Sequence, residues 1–302
     1  MNTQPHDTAE LVALPAQRLP RWQVRFAAVT HAGKVRPRNE DHFLVSRMGR
    51  WAETVATNLP VDVRPQRIED AGYVMVVADG MGGMTAGQQA SRLAILTGID
   101  LVMQSPRWYF HIDQGEASAL MDQLCQYLRD IDRRLSEKAL KDTSLYGMGT
   151  TLTGAYLVGG NLFVVHVGDS RCYLFRDSRL QQLTRDHTLA QELADAGRIS
   201  QEDAARHRMR NVLTRYIGGS DGNIQAEVLW MPLVPGDRVM LCSDGLSGMV
   251  PDDEIALHLT EHRDTDSACQ SLLGAALEAG GRDNVTLIVA DVAHGEASSE
   301  PS

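Results

Sequence analysis

The chain has 302 residues, of which 43% are hydrophobic, and a formal net charge of −10 at pH 7. This length allows one large domain or two ordinary ones, and the hydrophobic content is sufficient for a sizeable core. The negative charge argues against a nucleic-acid-binding protein, which needs a basic patch. Apolar runs of about six residues are far too short to cross a bilayer. We therefore expect neither nucleic acid nor a membrane as a partner.

Polar segments stand at both ends of the chain. Residues 1–20 contain three prolines and show no periodicity, and we interpret them, like residues 295–302, as flexible tails. The N-terminal tail has no long apolar stretch, so it does not resemble a signal peptide. The four cysteines include no C-x-x-C pair. Free, reduced thiols and a cytoplasmic location are therefore expected.

The first half of the chain predicts short strands and then two helices. Alternating residues at 21–29 and 42–46 predict two strands, and 73–78 predicts a third. Residues 47–71 break the pattern with two prolines and are interpreted as an insertion loop. Helical spacing extends from 85 to 104. A second helix is indicated by apolar residues that share one face, namely Ala117, Leu120, Met121, Leu124, Leu128, Ile131 and Leu135.

The second half is dominated by strands. Gly159-Gly160 is a hairpin signal between two of these strands. Residues 187–222 are polar and show helical rather than strand character. Hairpins outnumber β-α-β crossovers, which favours antiparallel sheets with segregated helices, an α+β fold. The predicted strands lie at 150–158, 161–167, 171–175, 237–243 and 284–292, and a helix is predicted at 266–279.

Acidic residues stand at the ends of several predicted strands. Each alone is typical of a turn. If these strand ends meet at one edge of the core, the carboxylates would repel one another unless a divalent cation were bound. A set of ligands that are all oxygens suits Mg²⁺ or Mn²⁺. Spacing alone does not decide whether these acids are turn residues or metal ligands. The residues are Asp79, Asp169 and Asp244 after strands, and Glu40, Asp41 and Asp283 before strands.

The ordered motifs of residues 21–292 resemble the metal-dependent protein phosphatases of type 2C, in their bacterial form. One such motif would be weak evidence, whereas the ordered set is specific. The motifs are VRPRNEDHF (35–43), ADGMGG (78–83), AGQQAS (86–91), GMGTT (147–151), VGDSRCYL (167–174), LTRDHT (183–188), RNVLTRYIG (210–218), SDGL (243–246) and GRDNVT (281–286).

The resemblance implies a fold and a domain organisation. The fold is a four-layer α-β-β-α sandwich, in which two packed antiparallel sheets are flanked by helices. The phosphatase domain would occupy residues 21–294, with 47–71 as an insertion and 187–222 as a flap-like segment.

The resemblance also implies a site with two core Mn²⁺ or Mg²⁺ ions and a weaker third ion. The catalytic residues would be Arg36, Asp79, Asp244 and Asp283. By this resemblance, Asp79 bridges the two core ions and the Gly80 carbonyl binds one of them, while Asp244 and Asp283 complete the shell of the first ion. Glu40 and Asp41 would hold metal-bound waters, and Asp169 and Asp244 would hold the third ion. Arg36 would bind the substrate phosphate.

The implied activity is hydrolysis of phosphoserine and phosphothreonine in proteins by a metal-activated water. A cognate Ser/Thr kinase would be the opposing partner in signalling. Met81 stands where eukaryotic relatives carry a histidine proposed as general acid, so the proton donor stays open. A phosphohydrolase of small phosphate esters and a non-catalytic phosphoprotein-binding regulator are the alternatives. No predicted metal acid is missing, which disfavours the regulator.

Three further polar residues near these motifs have simpler interpretations. Arg38 is interpreted as a solvated surface arginine. His42 should point away from the side of the strand that carries Asp41. His187 is interpreted as a structural residue that holds the segment after it.

Overall fold

The computed structural model describes residues 22–52, 68–82, 86–105, 109–110, 112–219 and 224–294. The strands are β1 (Trp22–His31), β2 (His42–Ala52), β3 (Ile68–Ala78), β4 (Gly80–Met81), β5 (Gly149–Thr150), β6 (Leu152–Val158), β7 (Asn161–Val167), β8 (Arg171–Arg176), β9 (Arg179–Gln182), β10 (Glu227–Pro232), β11 (Arg238–Cys242) and β12 (Val285–His294). The helices are α1 (Ala86–Met103), α2 (Gln114–Lys141), α3 (Leu189–Asp195), α4 (Gln201–Arg206), α5 (Asp244–Ser247), α6 (Asp252–Glu261) and α7 (Thr265–Glu278).

The long strands form two antiparallel sheets of five strands each. Sheet I has the order β1-β12-β11-β8-β9, and sheet II has the order β10-β7-β6-β3-β2. The short strands β4 and β5 pair separately, with Gly80 opposite Thr150. Consecutive strands pair at β2–β3, β6–β7 and β8–β9, and the β6–β7 hairpin turns at Gly159-Gly160 as predicted. The other pairings of the two sheets join strands that are distant in sequence.

Three packed interfaces make the domain a four-layer sandwich. Between the sheets, residues such as Val77 and Val164 of sheet II pack against Leu241 and Ile288 of sheet I. Helices α6 and α7 cover the outer face of sheet I, and α1 and α2 cover the outer face of sheet II. The predicted α+β sandwich is therefore confirmed.

Strand β12 shows why the central strands are mostly apolar. Successive side chains point to opposite faces of a sheet. Leu287 and Val289 therefore pack under α7, while Ile288 and Ala290 pack between the sheets. A strand covered on both faces reads as a continuous apolar run.

The predicted loop at 47–71 is wrong at both of its ends. Strand β2 continues to Ala52 and β3 begins at Ile68, with Arg47 opposite Tyr73 and Ala52 opposite Ile68. Backbone hydrogen bonds extend this ribbon, and they do not require apolar alternation. Residues 53–67 lie outside the described residues, as do both predicted tails.

Two further observations bear on the environment of the chain. All four cysteines are free, and Cys172, Cys242 and Cys269 are buried. Among the helices that the structure describes, none combines the length and apolar character needed to cross a membrane.

Candidate metal centre

The strand register brings the predicted acids to one edge of the sandwich. In sheet II, the end of β3 lies opposite the start of β2, with Ala78 paired to His42. In sheet I, Cys242 at the end of β11 lies opposite Leu287 near the start of β12. The loops that carry the acids leave from these ends. The acids therefore meet because antiparallel neighbours begin and end at the same edge.

Asp79 is held firmly in the loop between β3 and β4. Its N–H donates to Thr151 Oγ1 at 3.0 Å, and its carbonyl oxygen accepts from Thr151 N at 2.9 Å and from Thr150 Oγ1 at 2.8 Å. Burial, followed by repulsion from four neighbouring carboxylates, raises the pKa of Asp79 well above its ordinary value. Those neighbours are Asp41, Asp244, Asp169 and Asp283.

Asp41 and Asp244 present buried oxygens without partners. Ser243 Oγ donates to Asp41 Oδ2 at 2.8 Å, whereas Asp41 Oδ1 and Asp244 Oδ1 are buried and have no hydrogen-bond partner among the described residues. Burial is the main cause that raises the pKa of Asp41 to about 7. Burial and then the charge of Asp283 raise the pKa of Asp244 to about 6. The Asp79 side chain acts in the opposite direction and lowers the pKa of Asp244.

Asp283 lies just before β12 and contacts the predicted phosphate-binding residue. Arg36 Nη2 donates to Asp283 Oδ2 at 2.6 Å, and Asn284 N donates to Asp283 Oδ1 at 2.9 Å. The Arg36 side chain is 56% exposed, so its guanidinium also faces solvent. Arg36 thus lies at the mouth of the acidic edge, with its guanidinium between Asp283 and solvent.

Asn284 holds the loop that carries Arg36 and Glu40. Its side-chain oxygen accepts from Glu40 N at 2.8 Å, and its amide donates to the carbonyl oxygens of Ala32 at 3.0 Å and Arg38 at 2.8 Å. This residue was not among the site residues predicted from the sequence. The only available signal was an amide side chain between an acid and a strand.

Glu40 and Gly80 meet the start of helix α1. A Cβ at Gly80 would overlap the Gly87 carbonyl and would lie 2.8 Å from the Glu40 carbonyl oxygen, so only glycine fits at this position. A Cβ at Gly87 would lie 2.8 Å from Glu40 Oε2. Burial is the largest cause of the raised pKa of Glu40, and Arg36 opposes it.

Asp169 lies in the turn between β7 and β8, and His187 holds this turn. Gly168 N donates to His187 Nδ1 at 3.1 Å, and His187 N donates to the Gly168 carbonyl at 2.7 Å. Burial, then the charges of Asp244 and Asp186, raise the pKa of Asp169 well above its ordinary value. This geometry agrees with a structural role for His187.

The donor set fits a divalent cation. All of the side-chain donors are oxygens, two buried oxygens lack a partner, and a cation would reverse the repulsion that raises these pKa values. Within the described ranges, no three Asp, Glu, His or Cys side chains are grouped tightly enough to enclose one ion. The acids therefore line a shared edge in this structure and do not form a closed coordination shell.

Comparisons with known proteins support the resemblance seen in the motifs. The profile of a family described as protein phosphatase 2C matches residues 62–290. The serine/threonine protein phosphatase PstP of Mycobacterium tuberculosis (strain ATCC 25618 / H37Rv) is 37% identical over 229 residues, which are 74% of this chain and 42% of PstP. This chain therefore spans less than half of that relative.

Two further matches cover nearly the whole of the other chain. The serine/threonine phosphatase stp of Listeria monocytogenes serovar 1/2a is 34% identical over 223 residues, which are 74% of this chain and 86% of the relative. The solved catalytic domain of PstP in complex with two manganese ions has a TM-score of 0.69 and 32% identity, over 90% of this chain and 100% of that one. Because the profile covers well over half of the sequence, the chain belongs to the protein phosphatase 2C family.

Proposed function

We propose that this protein is a metal-dependent serine/threonine protein phosphatase. The observation that carries the proposal is the meeting of Asp79, Asp169, Asp244 and Asp283 at one edge, with Arg36 at its mouth. Relatives named serine/threonine phosphatases, and one solved with two manganese ions, support this activity.

Two core Mn²⁺ or Mg²⁺ ions would be held by the acids of this edge. Asp79, Asp244 and Asp283, with the Gly80 carbonyl, are proposed as direct ligands, and Glu40 and Asp41 as residues that hold the waters around the ions. Asp169 and Asp244 are proposed to bind a weaker third ion. Bound divalent ions supply a water of lowered pKa and positive charge for the phosphoryl oxygens.

The residues of the chain itself have two further tasks in this proposal. Arg36 offers a planar fork of N–H donors that matches phosphate oxygens, and its exposure allows it to meet a substrate from solvent. Thr150 and Thr151 fix the Asp79 backbone, which keeps this carboxyl group aimed at the edge.

The biological setting is part of the same proposal. The substrates would be phosphoproteins, and a cognate Ser/Thr kinase would phosphorylate them. The phosphatase domain would be residues 21–294, with 187–222 as a flap-like segment. Free cysteines agree with a reducing compartment such as the cytoplasm.

A phosphohydrolase of small phosphate esters is the main alternative. The test compares a phosphothreonine peptide with a panel of small sugar and nucleotide phosphates, all assayed with Mn²⁺. We expect a higher kcat/KM for the phosphopeptide. A clear preference for one small ester, with slow peptide hydrolysis, would favour the alternative.

A further inference from the structure

The flap-like segment ends in a basic stretch. Residues 204–219 contain four arginines and no Asp or Glu, in a chain whose net charge is −10. We name Arg206, Arg208 and Arg210 the arginine cluster. Its charge is opposite in sign to that of the acidic edge, so it is not part of the proposed metal centre.

The arginine cluster is exposed and largely unpaired. All three residues are exposed. Arg206 ends α4, where the Ser200 hydrogen bonds and, more weakly, the charge of Arg206 lower the pKa of Asp203. Arg208 and Arg210 form no ion pair or side-chain hydrogen bond with any residue that the structure describes. Their N–H donors therefore remain available to a ligand from solvent.

Backbone hydrogen bonds tie the C-terminal part of this stretch to the metal centre. Ile217 N donates to the Thr150 carbonyl at 2.8 Å, and the Thr150 hydroxyl donates to the Asp79 carbonyl at 2.8 Å. Thr214 N donates to the His187 carbonyl at 2.9 Å. Arg210 is four residues before Thr214, so it lies within about 14 Å of this anchor.

This position gives the cluster a specific task. A substrate with acidic residues near its phosphorylated residue would approach a surface of like charge, which opposes association. Arginines beside the site would offset that repulsion and pair with carboxylates through their planar forks.

We propose that the arginine cluster binds Asp and Glu side chains that flank the phosphorylated residue, and so directs the enzyme toward acidic phosphopeptides. The inference rests on the proposed phosphatase function and narrows its substrate class. Because residues 204–219 contain no Asp or Glu of their own, the stretch itself supplies no acidic partner that would compete with a substrate.

The test uses three combined variants of the full chain. In the first, Arg206, Arg208 and Arg210 are each replaced by Gln, and in the second each is replaced by Lys. The third is a control that removes the same charge from exposed arginines elsewhere on the sandwich. The control changes are Arg25→Gln, Arg179→Gln and Arg263→Gln.

Each protein is assayed with Mn²⁺ on a small aryl phosphate and on two phosphothreonine peptides, one flanked by Glu and one by Ala. The measured quantity is the ratio of kcat/KM for the Glu peptide to that for the Ala peptide. Exposed ion pairs are individually weak, so we expect the Gln variant to lower this ratio by about 3- to 10-fold. The Lys variant should retain most of the ratio, and the control should retain all of it.

Salt provides a second measurement. The wild-type ratio should fall as NaCl is raised, because exposed charge pairs are screened, and the Gln variant should show a weaker salt dependence. The aryl phosphate should be hydrolysed equally by all four proteins, which also shows that the variants are folded.

The outcomes separate this inference from the proposed function. An unchanged peptide ratio in the Gln variant, or an equal loss in the control, would overturn the inference while phosphatase activity stands. Absence of Mn²⁺-dependent hydrolysis of every substrate by the wild-type protein would instead remove the proposed function.

Discussion

Arg36 Nη2 lies 2.6 Å from Asp283 Oδ2, which joins the β1–β2 loop to the start of β12. Arg36, the proposed phosphate-binding residue, is therefore in direct contact with Asp283, a proposed metal ligand. Asp283 and the other acids nearby raise the pKa of Arg36 further, chiefly through this hydrogen bond. The guanidinium therefore remains charged at the mouth of the site.

Arg36→Lys should weaken substrate binding. Lysine keeps the charge but loses the planar fork, and one charge-assisted hydrogen bond contributes about 1.5 kcal/mol or more. We expect KM for a phosphothreonine peptide to rise on the order of 10-fold, with a smaller fall in kcat. Arg38→Lys, an exposed neighbour, is the control and should be silent. An unchanged KM in the Arg36 variant would exclude this residue as the phosphate-binding group.

Asp79→Asn, Asp244→Asn and Asp283→Asn should each remove nearly all activity. Even residues outside the direct shell of a metal typically change affinity or activity by 10–100-fold, so direct ligands should cost at least about 100-fold. The fold should survive in EDTA, because a neutral amide removes the repulsion that raises the pKa of Asp79. Turnover and thermal unfolding are measured on the same samples. Substantial turnover by the Asp79 variant would contradict its role.

Asp169→Ala should remove the weak third ion and leave the two core ions bound. We expect calorimetric titration with Mn²⁺ to show the two tight sites intact and the weak site lost, together with much lower activity. The exposed Asp253 of α6 provides the control, Asp253→Ala. Loss of a tight site in the Asp169 variant would refute this assignment.

The raised carboxyl pKa values predict how pH affects the metal-free protein. A folded-state pKa above the ordinary value means that the folded protein holds the proton more tightly than the unfolded chain does. The free energy of unfolding that this tighter proton binding contributes is present at low pH. It is lost as pH rises through about 6 for Asp244 and about 7 for Asp41.

Thermal unfolding in EDTA and in Mn²⁺ tests this directly. In EDTA, Tm should be lower at about pH 8 than at about pH 5.5, since the carboxylates are then charged and repel one another. Mn²⁺ should raise Tm more at the higher pH, because the ligands must lose their protons to bind it. Asp41→Asn should reduce both effects. A metal-free Tm that rises across this interval, in the absence of other transitions, would contradict the assigned shifts.

Gly80→Ala should disturb the packing that places Glu40 beside α1. The added Cβ would overlap the Gly87 carbonyl, and backbone of this kind does not move without cost, so we expect a loss of about 1–3 kcal/mol. Gly274→Ala in α7 is the matched control, because nothing lies within 4 Å of its added Cβ. That variant should gain about 0.5–1 kcal/mol from helix propensity. Equal unfolding free energies for the two variants would exclude the close approach at Gly80.

The main elements of the fold could be predicted from the sequence because each has a clear pattern. Strand β12 contains a continuous apolar run at 287–290, and α2 carries its apolar residues on one face. Helix α6 was missed because only Ile255 and Leu259 of its ten residues are buried, which is too few to show a helical period. The ends of β2 and β3 were missed because their pairing continues beyond the apolar residues.

The same limit applies to the site. The positions of Asp79 and Asp244 at this edge could be predicted because Asp79 directly follows β3 and Asp244 comes two residues after the end of β11. The supporting role of Asn284 depends on contacts with Glu40 and Ala32, which are 244 and 252 residues away in sequence. The Ala32 contact forms only when β1 pairs with β12, and the Glu40 contact forms only when the two sheets are packed together, so no local pattern encodes either of them.

The most direct test of the metal centre is phosphate release from a phosphothreonine peptide by the wild-type protein, first in EDTA and then during titration with Mn²⁺. We predict no turnover in EDTA and a saturable rise with Mn²⁺, which Asp79→Asn abolishes. Equal turnover with and without metal, or none at any Mn²⁺ concentration, would contradict the assignment of this acidic edge as a phosphatase metal centre.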